Sequence, residues 1–299
     1  MRILVTGSSG HVGQAIAEHL ANAGHEVVGL DLRPGGPTGL IQQIEADIAS
    51  ENVASRICCE APPCAAIVHT AAALGKDLCA PAISLTNCLG TQQMIRLACL
   101  WGATRFIYTS GVPVIGLPQQ LPITEEHPVH PPTAYHASKL YGEHLVRLAE
   151  RDGLIATILR LTSPVGPNMP DNRILSIFVR RALANERLTL VGQGTRRQNY
   201  VDVRDVALAV EACLCQSVSG LFNVASNRSI SNHELAQLCV SMLASSSPIE
   251  FTGNPDPEEG VVWDVSIARA AERFGYHPHF TIEDSIRAVS RQYAHRVNQ

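Results

Sequence analysis

Short apolar runs alternate along the first half of the chain with stretches in which apolar residues recur every three or four positions. The runs fall at residues 3–5, 26–30, 44–47, 66–68, 105–109 and 155–161. Apolar periodicity of the helical kind fills the segments between several of them. Strands that alternate with helices in this way build a parallel sheet covered on both faces. We therefore predict an α/β fold, a doubly wound parallel sheet with a smaller C-terminal lobe.

The pattern changes after Gly166, where Pro167 to Pro170 is typical of a hinge. Helices are then predicted at 174–185, 202–215, 231–243, 266–274 and 281–294, and strands at 188–191 and 221–224. Asp202 suits the start of one helix, and Ser231 with Glu234 forms a capping-box pattern. We predict a first domain of residues 1–166, with 192–226 returning to its sheet, and a lobe of residues 167–191 and 227–299.

Composition narrows the function classes. The 299 residues carry a net charge of −4, which gives no electrostatic reason to expect nucleic acid or an anionic membrane as partner. We find neither a signal-peptide pattern nor an apolar run long enough for a bilayer, so we expect a cytoplasmic protein. The nine cysteines show no metal-binding spacing. We interpret them as reduced thiols and predict no metal site, the alternative being a redox or metal role.

A glycine motif follows the first apolar run, with Gly7, Gly10 and Gly13 in the segment TGSSGHVG. A pyrophosphate needs backbone N–H groups at a helix N-terminus and no side chain in its way. The spacing has one more residue between the first two glycines than the dehydrogenase fingerprint Gly-x-Gly-x-x-Gly. A plain glycine-rich turn is the alternative, but the place between a strand and an amphipathic helix favours a dinucleotide site.

Acidic residues end the second and third strand candidates. Asp31 can accept both hydroxyls of an adenosine ribose and would repel a 2′-phosphate, so we predict NAD rather than NADP. Arg33, two residues later, is able to turn toward such a phosphate, which would favour NADP. Asp47 with Ile48 can contact the adenine. The alternative is that Asp47 is a solvated carboxylate at the end of a strand.

Tyr135 and Lys139 are spaced i and i+4 in a predicted helix, so both side chains lie on one face. Only two lysines occur in the chain, and Lys76 is the other. A neighbouring ammonium and an oxidised nicotinamide both favour a phenolate, which lowers the pKa of the tyrosine and lets it take a proton from an alcohol. The alternative is an exposed lysine beside a packing tyrosine.

Taken together, these motifs resemble those of the extended short-chain dehydrogenases/reductases, in particular the NAD-dependent sugar epimerase/dehydratase family. The resemblance spans nearly the whole chain. Its pieces are the glycine motif, Asp31, Asp47-Ile48, residues 69–72, Asn87 with Gly90-Thr91, 105–110, 135–139 with Gly142-Glu143, Leu159-Arg160, Gly166-Pro167 and 192–206. It implies a Rossmann-like domain, tightly bound NAD, a C-terminal lobe that holds a sugar or nucleotide-sugar substrate, and a homodimer.

The candidate site follows from the motifs and the resemblance. The predicted catalytic residues are Tyr135, Lys139 and Ser110. The predicted NAD-binding residues are Gly7, Ser9, Gly10, His11, Val12, Gly13, Asp31, Asp47, Ile48, Thr70, Ala71, Ala72, Asn87, Tyr135 and Lys139. The predicted substrate-binding residues are Ser163, Asn168, Arg173, Arg197 and Tyr200.

Two departures from the family pattern bear on the reaction. Where the family carries a Ser or Thr after the fifth strand, this chain has Gly111. Ser110 can replace that hydroxyl only if the backbone bends at Gly111, since consecutive strand residues face opposite sides. Thr109 or a water molecule are the alternatives. Val112 and Pro113 stand where dehydratases and decarboxylases of the family carry acids, which disfavours both reactions.

The second departure is Gln198, at a position where many members carry an arginine for the substrate diphosphate. Arg173 and Arg197 can take that role or are surface charges. Our leading interpretation is an NAD-dependent sugar epimerase, acting on a nucleotide sugar by transient oxidation of a hydroxyl. The alternatives are an NAD-dependent dehydrogenase of a free sugar, sugar acid or other small alcohol, and a non-catalytic NAD-binding regulatory protein.

Overall fold

The computed structural model describes residues 1–75 and 81–297, so Lys76 and Cys79 lie outside the described residues. The strands are β1 Arg2–Thr6, β2 Glu26–Asp31, β3 Gln42–Glu45, β4 Ala66–His69, β5 Arg105–Gly111, β6 Ile155–Leu161, β7 Ser163–Val165, β8 Leu188–Leu190, β9 Arg197–Asp202, β10 Gly220–Val224, β11 Ser229–Ser231 and β12 Ile249–Phe251. The α-helices are α1 His11–Asn22, α2 Val53–Glu60, α3 Gly90–Trp101, α4 Ala134–Ala149, α5 Ile174–Leu183, α6 Val203–Gln216, α7 Asn232–Met242, α8 Ala268–Phe274 and α9 Ile282–Val297.

Seven strands form one parallel sheet in the order β10-β6-β5-β4-β1-β2-β3. The strand order reverses between β1 and β4, and ligands of such sheets bind at the carboxyl ends of the strands at this point. The predicted doubly wound fold is confirmed. The third strand was predicted two residues too late, because β3 is an edge strand and begins with Gln42 and Gln43, whose polar side chains are only half-buried.

Helices cover both faces of the large sheet, which explains why its strands are apolar almost without interruption. On one face α1 and α6 pack against Ile3, Val5 and Ile107. On the other face α2, α3 and α4 pack against the alternate strand residues, such as Leu4 and Tyr108. Each strand residue therefore belongs to one of two separate cores, according to its position in the alternation.

The C-terminal part builds a second core. β7, β9 and β11 form a three-stranded sheet, β8 pairs with β12, and helices α5, α7 and α9 enclose residues such as Leu175 and Ile286. Of residues 192–226, β10 joins the large sheet, whereas β9 lies in the small sheet. The predicted helix starts are present: Asp202 accepts a hydrogen bond from the Arg204 amide, and Ser231 with Glu234 closes a capping box. The division into two domains remains a prediction. Within the described ranges, no helix has the length and apolar character needed to cross a membrane.

Candidate active site

The glycine motif forms a backbone cradle at the end of β1. Gly7 has a φ of +69°, and a Cβ there would lie 2.8 Å from the Ala71 nitrogen. At Gly13 a Cβ would lie 2.1 Å from the Gly7 oxygen, which is far inside van der Waals contact. Only glycine permits this close approach of strand, turn and helix. The surface that results is bare backbone, as a pyrophosphate site requires.

The N-terminus of α1 opens into this cradle. Its first residue is preceded by Gly10, which provides no side-chain cap, and its first turn contains no acidic residue. In the described part of the chain, no backbone acceptor is recorded for the amides of His11, Val12 and Gly13. Unpaired amides and the helix dipole together attract an anion. The residues present thus fit the pyrophosphate of NAD.

Asp31 ends β2 beside the cradle and is 8% exposed. Its carboxylate accepts hydrogen bonds from the Ser9 amide at 3.0 Å and from the Arg33 amide at 3.0 Å. The Arg33 guanidinium donates to the Ser9 carbonyl at 2.5 Å, so this side chain lies across the same strand end. The two side chains whose charges favour different coenzymes, Asp31 for NAD and Arg33 for NADP, therefore lie together at this strand end.

Further predicted NAD-binding residues line the strand ends around β1. Thr70 donates to the Thr6 carbonyl at 2.6 Å, and the Ala71 amide donates to the Thr6 hydroxyl at 3.2 Å, which holds the 70–72 segment beside Gly7. Asp47 accepts from the Ala49 amide at 2.8 Å. Ile48 is 4% exposed and in the core. The hydrogen bond to Asp47 closes a turn and leaves its second carboxylate oxygen for other partners.

Tyr135 and Lys139 lie on the first two turns of α4, which begins at the N-cap Thr133. Burial raises the pKa of Tyr135, and the charge of Arg173 lowers it. Burial lowers the pKa of Lys139 to about 8, against the opposing charge of Glu143. For the protein side chains alone, burial thus outweighs the predicted lowering of the tyrosine pKa. A bound oxidised nicotinamide would add a positive charge that acts against the effect of burial.

Asn87 braces α4 rather than pointing freely into the cleft. It lies in a π-helical segment, Ile83–Leu89. Its side chain accepts from the Ala73 amide at 2.7 Å and donates to the Ala73 carbonyl at 3.0 Å and to the Ser138 hydroxyl at 2.9 Å. Ser138 donates in turn to the Tyr135 carbonyl at 2.7 Å. The amide therefore fixes the helical turn that carries the catalytic tyrosine.

The end of β5 does not bend as Ser110 would need in order to replace the missing hydroxyl. Gly111 is extended, with φ −136° and ψ 139°, and pairs in register with Leu161. Ser110 therefore lies on the same sheet face as Tyr108, the face covered by α4. It is 5% exposed, and its hydroxyl has no partner among the described residues. Thr109, on the opposite face, donates to the His69 carbonyl at 3.3 Å.

The predicted substrate residues divide into two groups. Arg173, at the N-cap of α5, is close enough for its charge to lower the pKa of both His11 and Tyr135. Arg197 instead pairs with Glu234 at 3.1 Å and donates to the Ser229 carbonyl at 2.8 Å, so its guanidinium is already occupied.

The other three candidates lie in and beside the small sheet. Ser163 pairs in register with Tyr200, which is 6% exposed, and Asn168 lies within the hinge Pro167 to Pro170, with a left-handed φ of 58°. Tyr200 belongs to the C-terminal core, where burial raises its pKa. Its buried position favours packing over direct contact with a substrate.

A buried ion pair next to the catalytic helix was not assigned any role from the sequence. Arg160 of β6 donates to both Glu143 oxygens, at 2.9 and 2.8 Å, and their side chains are 3% and 2% exposed. Glu143 is one helical turn beyond Lys139, and that i+4 spacing was the available signal. The pair ties α4 to the sheet and places a negative charge near the Lys139 ammonium.

Comparison with known proteins agrees with this geometry. The model of the NAD dependent epimerase/dehydratase family matches residues 3–225. A UDP-glucose 4-epimerase of Mycolicibacterium smegmatis is 28% identical, covering 96% of both chains. A UDP-glucuronic acid decarboxylase of Danio rerio is 28% identical, covering 99% of this chain and 74% of its own. The crystal structure of a Thermotoga maritima UDP-glucose 4-epimerase with UDP-glucose superposes with a TM-score of 0.90 at 23% identity, covering 99% and 100% of the two chains.

The fold and the site define an NAD-dependent α/β enzyme of the extended short-chain dehydrogenase/reductase type. The chain belongs to the NAD-dependent epimerase/dehydratase family. The predictions of family, fold, enzyme class and cofactor are confirmed at this level.

Proposed function

We propose that this protein is a nucleotide-sugar epimerase that oxidises a substrate hydroxyl transiently and reduces the same carbon from the other face. The observation that supports it best is that Tyr135 and Lys139 share one face of α4, the helix that packs against β5 and β6. The relatives described above act on UDP-sugars by their names, which supports the substrate class.

In the proposed reaction, NAD held by the Gly7–Gly13 cradle and Asp31 would supply a reversible hydride acceptor. Tyr135 takes the proton of the substrate hydroxyl and later gives it back. Lys139, four residues further along the same face of α4, would supply a positive charge that favours the phenolate form. Ser138 and Asn87 keep the turn that carries Tyr135 in place through hydrogen bonds of 2.7 and 2.9 Å.

The segment after β5 favours epimerisation over the other reactions of the family. Val112 is fully buried and begins the short helical turn Val112–Ile115, in which Pro113 is the second residue. Neither side chain can donate or accept a proton, so this segment offers no acid to expel water or to assist loss of a carboxylate. A ketone formed in the site is then left to be reduced again.

The test has two stages. Denaturing the purified protein and identifying the released nucleotide should give NAD. The protein should then interconvert epimers of a UDP-sugar without net NADH formation, and Tyr135→Phe should lower kcat by at least about 100-fold. Tyr141→Phe, an exposed tyrosine of the same helix, is the matched control and should retain full activity. Epimerisation unaffected by Tyr135→Phe would refute the proposed base.

A dehydrogenase of a free sugar or sugar acid is the second candidate. The observation that favours it is that two arginines near the small sheet are already paired with carboxylates. Arg197 pairs with Glu234, and Arg196 pairs with Glu258 at 3.0 Å. Cations held by carboxylates bind a diphosphate less strongly. This candidate predicts a rise in NADH absorbance when NAD is added with a free sugar acid.

We further propose a homodimer. Leu100 of α3 and Tyr141 and Leu148 of α4 are between 43% and 50% exposed, on two adjacent helices. Exposed apolar side chains clustered in this way are typical of an interface. Light scattering coupled to size-exclusion chromatography should give twice the mass of the 299-residue chain, and Leu148→Glu should reduce it to one chain.

A further inference from the structure

Tyr108 of β5 lies directly beneath the Lys139 ammonium. The Lys139 Nζ is 4.5 Å from the centroid of the Tyr108 ring. A cation within about 6 Å of a ring centroid is attracted by the negative face of the ring, most strongly where water is excluded. Here both partners are buried, Tyr108 at 1% and Lys139 at 4% exposure.

The ring is held in this position from several sides. Its hydroxyl donates to the Lys139 carbonyl at 3.4 Å. His69, its register partner on β4, packs against it with ring centroids 5.7 Å apart. Gly142 of α4 makes room for the end of the ring, since a Cβ there would lie 2.2 Å from the Tyr108 hydroxyl. A glycine in a helix interior costs stability, so its presence here fits a need for close approach.

We propose that Tyr108 is a positioning residue for Lys139: the face of its ring holds the ammonium in its charged form, one helical turn beyond Tyr135. This inference rests on the proposed role of Lys139. Packing alone would explain Tyr108 as a core residue of β5. The proposal gives it a second role, in the chemistry of the site.

The charged and titratable groups around Lys139 do not replace the ring. Glu143 of α4 is bound at both oxygens by Arg160, so its charge is shared. His69 of β4 is hydrogen-bonded between Thr6 at 2.7 Å and Thr91 at 3.0 Å, and burial lowers its pKa to about 3, which keeps it neutral.

The other ionisable neighbours are neutral in their ordinary forms. Tyr135 lies one turn earlier in α4, and burial raises its pKa. Cys88 of the π-helical segment is close enough to influence Tyr108, and burial raises the pKa of its thiol. In the protein without bound coenzyme, neither supplies a compensating negative charge at neutral pH, so the ammonium is supported by the ring face and by the shared charge of Glu143.

The experiment uses the small number of lysines. The chain contains Lys76 and Lys139 only, so the full-length Lys76→Arg protein, labelled with ¹³C-lysine, gives a single lysine side-chain signal. Titrating that signal measures the pKa of Lys139 directly, expected near 8. Tyr108→Phe should leave it unchanged. Tyr108→Leu should lower it by about one pH unit, equivalent to about 1.4 kcal/mol, and abolish the ring-current shift of the lysine Cε protons.

The pH profile of activity is the second measurement. If the ammonium is the active form, the alkaline limb of kcat/KM should move down by the same amount in Tyr108→Leu and stay in place in Tyr108→Phe. Should Tyr108→Leu fail to fold, phenylalanines with one, two and three ring fluorines at position 108 keep the shape and weaken the ring face stepwise. The pKa of Lys139 should then fall stepwise.

An unchanged Lys139 titration in Tyr108→Leu, or no trend across the fluorinated series, would overturn the proposal. The titration needs no substrate and no turnover. It can therefore fail while epimerase activity is found, or succeed where the proposed reaction is not found, and the two failures are distinguishable.

Discussion

The Glu143–Arg160 pair allows a quantitative test of how α4 is attached to the sheet. Glu143→Leu would leave a guanidinium that is 3% exposed without its partner, and Arg160→Met would leave a carboxylate that is 2% exposed. Removal of one member of such a buried pair costs about 3–5 kcal/mol, because the remaining charge stays desolvated and uncompensated. That is a large share of the total stability of about 5–15 kcal/mol typical of folded proteins.

The double variant Glu143→Leu with Arg160→Met should cost far less than the sum of the single changes. Replacement of both charges by apolar side chains of similar volume is often neutral or even stabilising. The expected coupling energy is therefore at least about 3 kcal/mol. Glu26→Gln is the control: its partner is Arg2 at 2.7 Å, but the side chains are 56% and 34% exposed, so the cost should be about 0–1 kcal/mol.

Urea unfolding at pH 7 measures all of these variants, and the m-value shows whether the unfolding transition itself has changed. The single changes should lower the midpoint at constant m, and the melting temperature should fall by about 6–20 °C. Additive costs in the double variant, or single costs as small as that of Glu26→Gln, would refute the reasoning that the pair is desolvated and mutually dependent.

Three further outcomes are expected. Gly13→Ala should lower NAD affinity by at least about 100-fold in calorimetric titration, because its Cβ would lie 2.1 Å from the Gly7 oxygen and push the turn open; unchanged affinity would contradict the cradle. Asp31→Ser should raise the affinity for NADP relative to NAD by at least about tenfold, since the carboxylate would repel a 2′-phosphate; an unchanged ratio would point to Arg33 instead. Burial lowers the pKa of His69 from 6.5 to about 3, so between these pH values the unfolded chain binds a proton that the folded protein does not. His69 should therefore contribute a fall of about 1.4 kcal/mol in the unfolding free energy for each pH unit below 6.5, in addition to the contribution of other buried histidines such as His11. His69→Asn should flatten this slope, measured by urea unfolding from pH 7 to pH 5.

The elements that the sequence predicted well are those buried on both sides. β1 and β4 are short, and their apolar residues 3–5 and 66–68 face the two cores in turn. The capping box at Ser231 was equally visible, since it depends on two residues three positions apart. Local patterns of this kind need no knowledge of distant parts of the chain.

Features that depend on distant partners were not predictable in the same way. A bend at Gly111 was permitted by the residue type, but pairing with Leu161 of β6 keeps the strand extended. Arg197 is an arginine in the expected motif, yet its guanidinium binds Glu234 of α7. The π-helical segment around Asn87 is tied by hydrogen bonds to Ala73 and Ser138 on two other segments. In each case a tertiary contact overrides a local preference.

One face of α4 carries side chains that serve both the packing of the fold and the chemistry of the site. Tyr135, Ser138, Lys139, Gly142 and Glu143 recur at three- and four-residue spacing, so they form one stripe along the helix. The stripe is anchored by the buried ion pair at one end and carries the phenol at the other. Lys139 and Gly142 between them lie against the Tyr108 ring. Because the same side chains pack the helix onto the sheet and set the charges at the site, a substitution that shifts the helix is expected to change stability and the Lys139 pKa together.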